Sequence, residues 1–178
     1  MSLLADRLLE NHGKMHSARE TRYMVESVLT GNASVAELIA LLKLKDPKLC
    51  IQAMNIMYKI AEQNPQLIKP YKKDVLGWIA ELKPVQCHWF VARILAVLNL
   101  NPSEQDRAVQ ICQSYLTDSG QNVTTWTLNA IVVIAQTNSK YQTLADQMLS
   151  EAMSSHSSAL QARARQLISK YFHEALKI

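Results

Sequence analysis

The chain has 178 residues, of which 48% are hydrophobic and 19% charged, with a formal net charge of +4. That length admits one domain or one short array of repeats, and so apolar a composition with so little net charge excludes an intrinsically disordered chain. Only 4 Gly and 5 Pro leave too little turn chemistry for a sandwich or barrel of many short strands, whereas abundant Ala, Leu, Gln, Lys and Met favour helix.

The first segment, Met1 to Glu10, already carries acidic residues and has no basic start and no sustained apolar stretch, so it does not read as a signal peptide. Leu3, Leu4, Leu8 and Leu9 predict one helix; Tyr23, Met24, Val28 and Leu29 predict a second, closed by Gly31-Asn32. His12 and His16 would share a helix face, but Gly13 weakens that helix and no third ligand follows at a sensible spacing, so no metal and no cofactor are expected. The longest apolar runs, such as Ile131 to Ala135, fall far short of a bilayer span, and a cytoplasmic protein is expected. The Asn-x-Ser/Thr sequons at Asn32 and Asn122 are then chance matches.

From residue 33 onward the punctuation repeats. Asp46-Pro47 returns as Lys83-Pro84, Asn64-Pro65 as Asn101-Pro102, Cys50 as Cys87 and Trp89 as Trp126, each after 37 residues. Asn138-Ser139 stands where a third Asn-Pro would fall, and a fourth unit begins near His156. Each unit holds two helical patterns. The first aligns Leu38, Val75, Cys112 and Leu149 and, four residues on, Leu42, Ile79, Leu116 and Met153. The second aligns Met57, Ile94, Ile131 and Ile168, then Ile60, Val97, Ile134 and Tyr171, then Ala61, Leu98, Ala135 and Phe172, one apolar stripe per helix. Pro47, Pro84 and Pro102 sit at helix starts, where a missing N–H costs nothing, with Asp46 as an N-cap. Cys50, Cys87 and Cys112 fall inside these apolar patterns and read as small hydrophobes.

The run Asp46-Pro-Lys-Leu-Cys-Ile-Gln-Ala-Met-Asn-Ile-Met-Tyr-Lys-Ile-Ala-Glu-Gln-Asn-Pro-Gln-Leu-Ile-Lys-Pro-Tyr71 resembles a HEAT repeat, with Asp-Pro at the inter-helix turn and Asn-Pro at the exit. The likeness covers about residues 33–176 and is to the broad superfamily, since Cys50-Ile51 and Cys87-His88 replace the frequent Val-Arg of the second helix. Tetratricopeptide repeats compete on period at ~34 residues, but their Trp-x-x-Leu-Gly-x-x-Tyr pattern is absent. The resemblance implies an all-α fold: a right-handed α–α superhelix, or solenoid, of about five antiparallel helix pairs. The expected organisation is one domain over 1–178, with a degenerate capping pair at 1–32 and four repeats at 33–178.

In such arrays the second helices line the concave face. Opposite the apolar stripe lie Gln52, Asn55 and Lys59, then Trp89, Ala92 and Ala96, then Trp126, Asn129 and Val133, then Arg163, Gln166 and Lys170. Two tryptophans at the repeat period suit an apolar anchor on a partner, although Trp can equally wedge between neighbouring helices. The expected function is a non-catalytic scaffold holding a protein or peptide segment. Trp89 and Trp126 are its anchors, Arg93 and Arg163 its charge partners, and Asn55, Asn129 and Gln52 its polar contacts. The alternative partner is nucleic acid, held as in DNA alkylation repair-like HEAT proteins by Lys43, Lys45, Lys48, Lys69, Lys72 and Lys73; residues 43–83 carry eight Lys against four acidic residues. A third reading is a structural subunit that packs by its first helices. No GxGxxG, P-loop, GxSxG or HExxH motif occurs, and no catalytic residue is expected. HEAT-like alkylpurine DNA glycosylases would need a concave Asp, and the four rungs hold no carboxylate unless one helix is misregistered and brings in Asp118.

Overall fold

The computed structural model describes residues 3–10, 17–117 and 120–172. Among these residues the fold is all-α: ten α-helices, four short 3-10 turns and no strand. The helices are α1 (Leu3–Glu10), α2 (Ala18–Leu29), α3 (Val35–Lys43), α4 (Pro47–Gln63), α5 (Lys72–Leu76), α6 (Val85–Leu95), α7 (Pro102–Ser114), α8 (Gln121–Ala135), α9 (Gln142–Ser154) and α10 (Ser158–Tyr171). No helix among the described residues is long and apolar enough to cross a membrane. Packing divides the chain into two compact units, Met1–Asn99 and Leu100–Ile178.

The first unit is organised by α4, which packs against α1, α2, α3 and α6. Asp46 starts α4 by accepting from the backbone N–H of Lys48 (3.0 Å) and Leu49 (2.9 Å), and Pro47 occupies the first turn, where no intrahelical donor is needed. Ala53, Met54, Met57, Ile60 and Ala61 are fully buried on one stripe of α4, each of the large ones contributing about 1.5–3 kcal/mol by leaving water. The helix α2 opens with a reciprocal Ser17–Glu20 capping box and ends before Gly31, whose φ of +79° is the left-handed turn that glycine adopts without strain.

Between α4 and α6 the predicted first helix is broken. Asn64-Pro65 opens a 3-10 turn (Pro65–Leu67), a second follows (Lys69–Tyr71), then the single turn of α5 and a third 3-10 turn (Trp78–Glu81). Pro70 removes a donor, and Gly77 ends α5 in a non-helical conformation (φ −111°, ψ −117°) in which a Cβ would lie 3.0 Å from the Lys73 carbonyl oxygen. Val75 and Ile79 are nevertheless fully buried, as the repeat requires. Pro84 stands one position earlier than expected, extended at the N-cap of α6 rather than inside its first turn.

The second unit is organised by α8, which packs against α7, α9 and α10. Here Asn101-Pro102 starts a continuous helix, because Asn101 and Glu104 form a capping box with two 2.9 Å bonds. Asn138 has Tyr141 at the corresponding position and starts only a 3-10 turn (Ser139–Tyr141) before α9. Along the second-helix stripe Met57, Ile94 and Ile131 are fully buried, while Ile168, Tyr171 and Phe172 are half-buried.

Candidate functional site

In the first unit α4 and α6 bring four of their side chains into one stack. Trp89 lies on Phe90 (centroids 4.3 Å apart), and Phe90 lies on Tyr58 (5.1 Å, planes at 11°). The Arg93 guanidinium sits 4.1 Å from the Tyr58 ring centroid and donates through Nε (2.9 Å) and Nη2 (2.6 Å) to Oε1 of Glu62. Arg93 thus grips a carboxylate of its own chain, through one oxygen rather than a two-oxygen fork. Burial pushes the Tyr58 phenol above its usual range, and the facing Arg93 pulls it back in part. Gln52, Asn55, Lys59, Trp89 and Ala96 are half-buried, and Ala92 is fully buried.

In the second unit the equivalent helices α8 and α10 make a different joint. The Arg163 guanidinium lies 4.6 Å from the Trp126 ring centroid. It donates through Nη2 to Oδ1 of the buried Asn129 (2.5 Å) and through Nη1 to Oε1 of Gln166 (3.2 Å). Trp126, Asn129 and Arg163 are therefore brought together, with the Asn129 carbonyl oxygen already serving Arg163. Trp126 and Val133 are half-buried; Gln166 and Lys170 are exposed.

The lysines fall on two turns of the first unit. Lys43, Lys45 and Lys48 are exposed around the α3–α4 junction, and Lys69 and Lys73 are exposed around the second 3-10 turn and α5. Lys72 is half-buried and donates to the Asn99 carbonyl (3.1 Å). Beside the α3–α4 junction opens a cavity of about 700 Å³. Its walls are Pro47, Cys50 and Ile51 from the start of α4, and Trp78, Glu81, Leu82, Lys83, Pro84 and Gln86 from the stretch leading into α6, with Lys45 beside them. The Trp78 indole donates to Oδ1 of Asp74 (2.7 Å), and the half-buried His88 donates from Nε2 to the Leu82 carbonyl (3.0 Å). Burial holds that imidazole below its usual pKa.

Sequence reading missed Trp78 because it lies outside the second-helix ladder. The signal available was the pair Pro47 and Pro84, both of which stand on the cavity wall.

Other polar chemistry is sparse. Tyr141 donates to Oδ1 of Asp106 (2.5 Å), and Lys140 pairs with Oδ2 (3.0 Å); these bonds, Tyr141 first, hold the Asp106 carboxyl below its usual range. Cys50, Cys87 and Cys112 are buried free thiols, and burial pushes Cys87 and Cys112 up to about 12. Such thiols are protonated at neutral pH and poor nucleophiles. Among the described residues no three His, Cys, Asp or Glu side chains are grouped to hold a metal. His12, His16 and Asp118 lie outside the described residues. No family model, no curated protein and no solved structure matches this chain.

Proposed function

We propose that this chain is a non-catalytic helical-repeat module, of the HEAT-like kind, that holds a protein or peptide segment against the second helices of its repeats. The observation that carries this reading is the recurrence of a half-buried tryptophan. Trp89 and Trp126, at one repeat position, are only half-buried although each is stacked by its own chain. A half-buried tryptophan already held by its own chain is a rigid apolar anchor, and ordering a partner on it costs little side-chain entropy. The superhelical reading draws support from helix starts at Pro47, Val85, Gln121 and Ser158 and from the buried stripe Met57, Ile94 and Ile131. Arg93 and Arg163 reach a partner only by giving up bonds such as those to Glu62 and Asn129.

The test is affinity capture with wild type and with Trp89→Gln and Trp126→Gln variants whose thermal melts match wild type. A captured protein is then titrated against all three. A loss of tenfold or more in either variant supports the reading, and unchanged affinity in both overturns it. One observation favours nucleic acid as the second reading: the first unit holds 13 Lys and Arg against 9 Asp and Glu. If that reading holds, affinity for duplex DNA falls steeply with salt and is insensitive to the tryptophan variants.

A further inference from the structure

The cavity beside the α3–α4 junction is a second concave site, separate from the tryptophan ladder. Its volume of about 700 Å³ lies within the range of roughly 300–1,000 Å³ common to ligand pockets. Its lining is mainly apolar: Pro47 and Ile51 on one wall, Trp78, Leu82 and Pro84 on the other. The indole N–H of Trp78 is already satisfied by Asp74, so its ring adds apolar surface with no orphaned donor. Charge in the lining is confined to Lys45, Lys83 and Glu81, two ammonium groups against one carboxylate. Lys45 and Lys83 are exposed, and no ion pair joins either to another described residue.

Lys45 has a φ of +56°, a left-handed conformation that favours glycine and penalises any residue with a Cβ. The chain therefore carries an ammonium at a position where glycine would relieve the backbone.

The geometry points to this cavity as the docking site for a short peptide segment of a partner protein that presents large apolar side chains flanked by carboxylates. The apolar walls take the side chains, and Lys45 and Lys83 meet the flanking charge. Charge complementarity selects this occupant. A basic segment would face two ammonium groups against the single carboxylate of Glu81, and a phosphate backbone would set charge against five apolar side chains and leave the space between them unfilled.

The test uses a fluorescein-labelled peptide Glu-Asp-Leu-Phe-Asp-Glu, with two controls: one with Ser-Ser in place of Leu-Phe, one with Lys in place of every acid. Anisotropy gives affinity, and the Trp78 indole signal, assigned by Trp78→Phe, reports location. The expected result is binding of the acidic apolar peptide with a shift of the Trp78 signal, and at least tenfold weaker binding of both controls. Lys45→Gly and Lys83→Gln each weaken binding several-fold, and together at least tenfold, without lowering the melting temperature. Absence of binding at millimolar peptide, equal binding of the Ser-Ser control, or binding that leaves the Trp78 signal in place overturns the proposal. So does displacement of the peptide from Trp78 by a 12-base-pair duplex, or by 1-naphthaleneacetate at equal concentration, since the occupant would then be nucleic acid or a small acid.

Discussion

In the first unit, the position four residues beyond the first-helix anchor is sealed: Leu42 and Ile79 are both 0% exposed. In the second unit the same repeat position leaves Leu116 and Met153 each 36% exposed. The sequence pattern is identical; the coverage is not. Leu42 lies inside α3, whereas Leu116 falls two residues past the end of α7. Beside these open side chains the second unit has cavities of about 260 Å³ (Leu116, Leu128, Leu160) and about 250 Å³ (Met153, Ile168, Phe172). Charge divides the units as well, with the whole net charge of +4 in residues 1–99 and six Lys and Arg against six Asp and Glu in 100–178. The helix end accounts for Leu116 alone: Ile79 is sealed although it lies in a 3-10 turn, and Met153 is open although it lies inside α9, so coverage follows from what packs over each position rather than from the repeat position itself.

The sharpest way to break this comparison is to truncate the paired positions. Leu42→Ala should cost about 2–5 kcal/mol, the range for deleting a fully buried leucine, whereas Leu116→Ala should cost about 1 kcal/mol or less. Urea titration measures both. Alkylation of Cys87 and Cys112 assigns the loss to a unit, because each thiol reacts only when its own surroundings open. Equal costs would mean that coverage, as distinct from repeat position, does not set stability here.

The units also differ in how their arginines are used. Arg163→Ala removes the donor to a buried amide oxygen and the cation over Trp126, and should cost about 1–3 kcal/mol. Arg93→Ala frees a Glu62 that water already reaches, so after solvent screening about 1 kcal/mol is expected, much of it from the Tyr58 stack. A double-mutant cycle of Arg93 with Glu62 isolates the ion pair. A coupling above 2 kcal/mol would show the pair to be effectively desolvated.

The second-helix stripe was legible because helical periodicity and the Asp46-Pro47 start signal agree with each other and with the packing. The first helices were legible only as buried positions. Three nearly identical Asn-Pro or Asn-Ser signals give one continuous helix and two 3-10 turns, and the deciding residue is the one three positions on: Glu104 closes a capping box, and Leu67 and Tyr141 do not. The aromatic pair Trp89 and Trp126 was legible from spacing. Their partners were not, because Glu62 with Arg93 and Asn129 with Arg163 are contacts between helices whose rotation no single-helix pattern fixes. The cavity escaped for a related reason: Trp78 reaches its wall from the 3-10 turn that follows Gly77, where α5 ends.

A smaller effect has no counterpart among the described residues of the second unit. Lys45→Gly should stabilise the protein by about 0.5–1 kcal/mol, since the left-handed conformation there is free for glycine and costly for lysine. The unfolded chain gains entropy from the same change, which opposes the benefit. A melt that falls instead would show that the Lys45 side chain holds its turn by packing.

Acid separates the two units by window. The folded-state pKa of His88 lies below its ordinary 6.5, so its contribution to the first unit is complete above pH 6.5 and is lost as pH falls through the depressed value. Asp106 behaves the same way lower down: its contribution is complete above 3.8 and is lost as pH falls through a value held down chiefly by the Tyr141 hydroxyl, then by Lys140. Tyr141→Phe should raise the Asp106 midpoint toward 3.8 while leaving Lys140 in place, and His88→Gln should flatten the response below pH 6.5 in the first unit alone. Carboxyl and imidazole resonances followed by NMR measure both midpoints. Asp106 is solvent-exposed, so its midpoint should move while the melting temperature scarcely does. A large stability change on Tyr141→Phe would instead show that the hydroxyl bond between the 3-10 turn Ser139–Tyr141 and Asp106 of α7 supports the fold itself.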